Sequence, residues 1–118
     1  MIALDPDSSV PPFEQVRVGF AKQINDRTLA VGTKLPTVRA LAAELGLAAN
    51  TVARAYRELE EAGLVETRGR AGTFVSAAGD RTLQRAKEAA ERFAETTRML
   101  GIDADAALEI ARAALRVG

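Results

Sequence analysis

Two short runs of apolar residues at helical spacing, each closed by a glycine and then followed by strand-like alternation, restrict this chain to few folds. Val38, Leu41, Ala42 and Leu45 recur at i, i+3, i+4 and i+7, and Thr37 stands where a side chain can cap the helix. Gly46 ends that helix. A second one, about Ala49 to Ala62, turns Val52, Ala55, Tyr56, Leu59 and Ala62 inward and stops at Gly63. Two short helices joined by a glycine-containing turn form a helix-turn-helix. The period then changes. Leu64–Arg68 and Thr73–Ser76 read as strands, with Gly69-Arg70-Ala71-Gly72 as the turn, so a β-hairpin follows and the motif is of the winged type.

The flanks extend this unit. The first twelve residues form an arm rich in Pro, Asp and Ser. Pro11-Pro12 introduces a helix from Phe13 to about Thr28, in which Phe13, Val16, Phe20 and Ile24 share a face. Ala30-Val31-Gly32-Thr33-Lys34-Leu35-Pro36 breaks that pattern. Past the hairpin, residues 77–79 read as a linker and Asp80 as the cap of a helix running to about Leu100. Its positions Leu83, Ala86, Ala90, Phe93, Thr97 and Leu100 step 3-4-3-4-3, the spacing of a seam between paired helices. Gly101 ends it, and Asp103 caps a last helix with Leu108, Ala111 and Leu115 on one face and Ile110 beside it. The expected fold is mainly α with a small β-hairpin wing: a winged helix-turn-helix over 1–76, then a two-helix tail over 77–118 that dimerises.

Composition removes other functions. The 118 residues hold no Cys and no His, which excludes disulfides, thiolate nucleophiles, Cys-based zinc sites and the commonest general base and metal ligand. No glycine loop followed by Lys and Ser or Thr cradles a phosphate. Glu58, Glu60 and Glu61 could suggest a metal or acid/base cluster, but helical geometry spreads 58 and 60 to different faces. The expectation is no enzyme, no metal and no cofactor. No stretch is apolar enough to span a membrane and the start lacks a signal-peptide layout, so a soluble cytoplasmic protein is expected.

With 16 Lys and Arg against 16 Asp and Glu, the net charge is zero, so any nucleic-acid surface must be local. Over 34–70 the bases Lys34, Arg39, Arg54, Arg57, Arg68 and Arg70 face the acids Glu44, Glu58, Glu60, Glu61 and Glu66, a balance of +1. The acids lie late in the second helix of the motif, and the bases lie at its start, on Arg39 and on the wing. With the apolar stripe inward, Asn50, Arg54, Arg57 and Glu61 share the opposite face. The N-terminal end of such a helix enters the major groove, which puts Ala49, Asn50, Thr51 and Arg54 nearest the bases and Arg57 nearer a phosphate. Lys34, Thr37 and Arg39 lie where the strand backbone passes, and Arg68 and Arg70 reach from the hairpin tip. A solvated charged face is the plainer alternative for each Arg taken singly. Tyr56 could stack on a base, but its inward position assigns it to the core.

The run LPTVRALAAELGLAANTVARAYRELEEAGLVETRGRAGTFV resembles the winged helix-turn-helix signature of GntR-family bacterial transcription regulators. Leu4-Asp5-Pro6 and Pro11-Pro12-Phe13-Glu14-Gln15-Val16 resemble the family's opening. The likeness covers about residues 2–76. It implies that Arg39, Asn50, Thr51, Arg54 and Gly69 contact DNA. The short tail resembles the YtrA-like subfamily, which implies a homodimer. Many members have Ser-Arg or Asn-Pro where this chain has Ala48-Ala49, so one base-contacting Arg and the usual side-chain cap are missing. Readout then leans on Asn50 and Arg54, with Ala48 or Ala49 offering a methyl to thymine. The expected function is a sequence-specific, homodimeric repressor of its own operon, often one for a membrane transporter, that binds a palindromic double-stranded DNA operator. Two other readings are a winged helix used for protein–protein assembly, and a repressor with an effector pocket in its tail.

Overall fold

A computed structural model describes residues 2–77 and 81–116, which fall into two compact units, one before and one after residue 80. In the first unit, α1 spans Pro12–Asn25, α2 Val38–Leu45 and α3 Ala49–Glu61. The hairpin strands are β1, Val65–Thr67, and β2, Thr73–Val75, joined by a 3₁₀ turn over Gly69–Ala71. They pair antiparallel with Val65 opposite Val75, Glu66 opposite Phe74 and Thr67 opposite Thr73. In the second unit, α4 spans Thr82–Met99 and α5 Ala104–Leu115.

One core fills the first unit. Val16, Phe20 and Ile24 of α1 meet Leu41 and Ala42 of α2, Val52, Ala55, Tyr56 and Leu59 of α3, and Leu64, Val65 and Val75 of the wing. Tyr56 is buried as its position on the stripe requires. Its hydroxyl donates to Pro36 O at 2.7 Å, and its ring meets Phe20 edge-on at 5.8 Å. Burial holds its phenol pKa well above the ordinary value. Val38 and Leu45 are only partly buried, at the margin of the same core.

The helix stops follow from local chemistry. Gly46, with φ +69, and Gly63, with φ +77, adopt the left-handed conformation that closes α2 and α3. After α3, Gly63 N–H donates to Glu60 O and Leu64 N–H to Leu59 O, so the chain turns straight into the wing. Thr37 Oγ1 accepts from Ala40 N–H at 3.1 Å and caps α2. Ala48 caps α3 with no side-chain bond, as the missing Ser or Asn implies.

Three details differ from the sequence reading. The first helix ends at Asn25 rather than about Thr28, because Asp26 Oδ1 accepts Thr28 N–H at 2.9 Å and Arg27 turns to φ +65. Leu29 thereby reaches the core from a turn. Each wing strand is shorter than expected, although Ser76 N–H still donates to Leu64 O and Arg68 N–H to Gly72 O. Finally, the segment read only as a break lines the free edge of β2. Leu35 N–H donates to Thr73 O at 2.8 Å, and Val75 N–H to Thr33 O at 2.9 Å.

The arm is also bound. The Gln15 side-chain amide donates to Asp5 O and Val10 O, while its oxygen accepts Asp5 N–H. In the second unit Asp103 caps α5 through Ala106 N–H, and Gly101, φ +74, ends α4. The proposed Asp80 cap lies outside the described residues; α4 begins at Thr82 behind Arg81. Among the described residues no helix is long and apolar enough to cross a membrane.

Candidate nucleic-acid interface

The first unit offers three neighbouring sets of polar groups. On α3, Ala49, Asn50, Arg54 and Arg57 are exposed and Thr51 is half-buried, with Val52, Ala55 and Leu59 behind them in the core. Among the described residues Asn50, Thr51 and Arg57 bond to no other side chain, so their polar atoms are available to a ligand. The uncapped start of α3 adds backbone donors that favour an anion. At the start of α2, Arg39 is exposed and free, and the Thr37 hydroxyl oxygen accepts Ala40 N–H while its own O–H is left to donate.

The wing carries the third set. Lys34 pairs by backbone with Phe74, and its side chain crosses Gly72, where an added Cβ would lie 2.9 Å from Lys34 Cε. Lys34 therefore belongs with the wing cations more than with Arg39. Arg68 lies 4.4 Å above the Phe74 ring and pairs with Glu66 at 2.6 Å. Gly69, with φ +54, opens the tip, and Arg70 projects there without a partner among the described residues.

The three glutamates of α3 diverge. Glu58 faces α1, Glu60 accepts the Thr67 hydroxyl at 3.0 Å, and Glu61 is exposed. The three therefore form no cluster, and Glu58 alone of them also touches a base of the outward face, Arg54.

Arg54 is less simple than its place on the helix suggests. Its Nε donates to Glu58 Oε2 at 3.1 Å, and its guanidinium carbon stands 3.7 Å above the Phe13 ring. Glu58 Oε1 lies 3.1 Å from Arg17 Nε, in ion-pair range though at an angle that makes no hydrogen bond. Arg17 Nη2 in turn meets Glu14 Oε1 at 3.3 Å. The Arg54–Glu58 spacing, four apart on α3, and the Glu14–Arg17 spacing, three apart on α1, hint at its two halves in the sequence. That α1 and α3 bring these halves together needs the fold.

In the second unit, Leu83 is 68% exposed, Phe93 37% and Leu100 69%, and Ala86 and Ala90 are also exposed. Thr97 departs from the expected seam. It is buried, and its hydroxyl bonds back to Phe93 O and Ala94 O, so it has almost no surface to offer a second chain. Phe93, Thr97, Ile102, Ala107, Leu108 and Ala111 line an apolar cleft of about 410 Å³ between α4 and α5.

Comparison with known proteins agrees with this geometry. The family model for bacterial regulatory proteins of the gntR family matches residues 13–75. The HTH-type transcriptional regulator Rv1152 of Mycobacterium tuberculosis is 48% identical over 101 residues, covering 86% of this chain and 83% of that protein. The HTH-type transcriptional repressor YtrA of Bacillus subtilis is 42% identical over 88 residues, covering 74% and 67%. Among solved structures, AraR(DBD) in complex with operator ORX1 superposes with a TM-score of 0.57 at 25% identity, covering 64% of this chain and 95% of that one. A winged helix with a free-faced third helix, matched by these relatives, is a DNA-binding transcriptional regulator and no enzyme: the chain belongs to the GntR family of bacterial regulatory proteins and is YtrA-like.

Proposed function

We propose that this regulator acts in the cytoplasm as a homodimeric repressor of its own operon, joined through residues 77–118 and reading a palindromic operator with residues 1–76. The observation that carries this reading is where apolar surface stays uncovered. Of nine exposed large apolar side chains among the described residues, only Val18 and Val31 lie in the first unit. The other seven, including Leu83, Met99, Leu100, Leu108 and Leu115, lie in the second unit. Apolar surface concentrated in so small a unit favours a protein partner, and a second copy is always at hand. A two-fold dimer presents two recognition helices, and their symmetry requires inverted half-sites. Repression is supported by the printed function of the Bacillus subtilis relative, YtrA.

The test is a mobility shift against DNA upstream of the chain's own gene, with footprinting, alongside sedimentation of the free protein. The expected result is a dimer protecting one inverted repeat that overlaps the promoter. A monomer protecting a single asymmetric site would refute the dimeric reading and leave the family membership intact. The cleft of about 410 Å³ supports one further possibility, a small apolar effector between α4 and α5. A metabolite that raises the melting temperature and releases DNA would establish it.

A further inference from the structure

We infer that Phe13 on α1 and Glu58 on α3 are positioning residues that hold the Arg54 guanidinium ready for DNA, so that the first turn of α1 takes part in reading sequence. This rests on the reading of Arg54 as a DNA contact. Arg54 shares the outward face of α3 with Asn50 and Arg57, and its side chain is 54% exposed. The Phe13 ring covers one side of its plane, at 3.7 Å from the guanidinium carbon, and Glu58 Oε2 holds Nε at 3.1 Å. Among the described residues its two Nη groups have no partner. Those Nη groups carry four N–H donors, enough to span guanine O6 and N7 or a phosphate.

A long, flexible side chain normally loses its rotamer freedom on binding. Here a ring and a carboxylate already restrict it, and the restraint uses the inner nitrogen while sparing the outer ones. Glu58 would by itself repel DNA phosphates. Arg17, 3.1 Å from its other oxygen, offsets that charge. Arg17 is in turn paired with Glu14, so the cluster runs from the DNA face of α3 back along α1. A lone surface ion pair would fix little. The aromatic face and the second cation give this one a defined geometry.

The test uses the full chain and a duplex recovered from a random-sequence library by selection with the wild-type protein, together with its single base-pair variants. Binding is followed by fluorescence anisotropy for wild type, Arg54→Ala, Phe13→Leu, Glu58→Gln and the double variant Phe13→Leu/Arg54→Ala. Arg54→Ala should lose about tenfold or more and erase discrimination at one base pair. Phe13→Leu and Glu58→Gln should each lose roughly three- to tenfold at that same base pair, as weaker orientation of one contact predicts. Their salt dependence should stay that of wild type, and the double variant should bind no worse than Arg54→Ala. Equal losses from Phe13→Leu with and without Arg54 would overturn the positioning role. So would tighter binding by Glu58→Gln, which would mean that Glu58 holds Arg54 away from DNA. An Arg54→Ala variant that binds and discriminates like wild type would instead remove the Arg54 contact itself.

Discussion

Single residues on the proposed DNA-facing surface divide by whether their polar groups are free or already used. Arg39 is exposed, one position past the start of α2, and no side chain restrains it. Such a cation suits a phosphate better than a base edge. Arg39→Ala should weaken binding to all duplexes alike and reduce the slope of log affinity against log salt by about one. Titration over several salt concentrations measures both. Proton sensitivity also belongs to this scale. The sequence has no His and no Cys, and the shift at Asp26 is downward, caused first by the Thr28 side chain and then by its backbone N–H. A carboxylate with a lowered folded pKa stabilises above its unfolded value, and that contribution fades as pH falls through the folded one. Asp26→Ala should therefore blunt the acid-side fall in melting temperature. DNA affinity at fixed salt should change little between about pH 6 and 8, where no side chain of ordinary pKa titrates. A tenfold change in affinity across that range would reveal a shifted group.

At the scale of elements, the glycine stops place the wing. Gly63 has φ +77 and sits between the last turn of α3 and β1, with Leu59 O and Glu60 O each satisfied by the turn. A side chain in that conformation costs roughly 1–2 kcal/mol. Gly63→Ala should destabilise the first unit by about that amount in urea unfolding, and Gly63→Asn by less, since Asn tolerates the left-handed region. Equal losses from both would place the cause in packing and not in backbone conformation. The wing is also better supported than a bare hairpin, because Thr33–Leu35 bonds along β2. A two-stranded ribbon alone is marginal in water, and a third edge with Val65 and Val75 in the core makes the wing a fixed arm for Arg68 and Arg70.

For the molecule as a whole, the question is how one small chain engages DNA firmly. The proposed answer is two copies. Leu83 is 68% exposed and reaches no core among the described residues, so Leu83→Asp should leave the fold of each unit within about 0.5 kcal/mol. Its predicted effect is a monomer in sedimentation and a loss of roughly a hundredfold in operator affinity, as the second half-site ceases to be held nearby. Phe93 is a poorer probe, because at 37% exposure it is partly packed between α4 and α5 and its loss disturbs the unit itself. A dimer that survives Leu83→Asp would move the seam to the Leu108 and Leu115 face of α5.

Much of this protein is written in short-range order. Helix and strand periods, the glycines after α2 and α3 and the Asp103 cap act over three to seven residues. Spacing and backbone chirality therefore suffice to place the two helices, the wing and the outward face of α3. The departures share the opposite character. The pairing of Thr33–Leu35 with β2, the Gln15 clasp on the arm, the burial of Thr97 and the Phe13 ring under Arg54 either join distant residues or turn on how two helices pack. Local periodicity could point Arg54 outward and no further. Where its guanidinium comes to rest depends on α1, whose first turn lies some forty positions earlier and meets α3 only when the core closes.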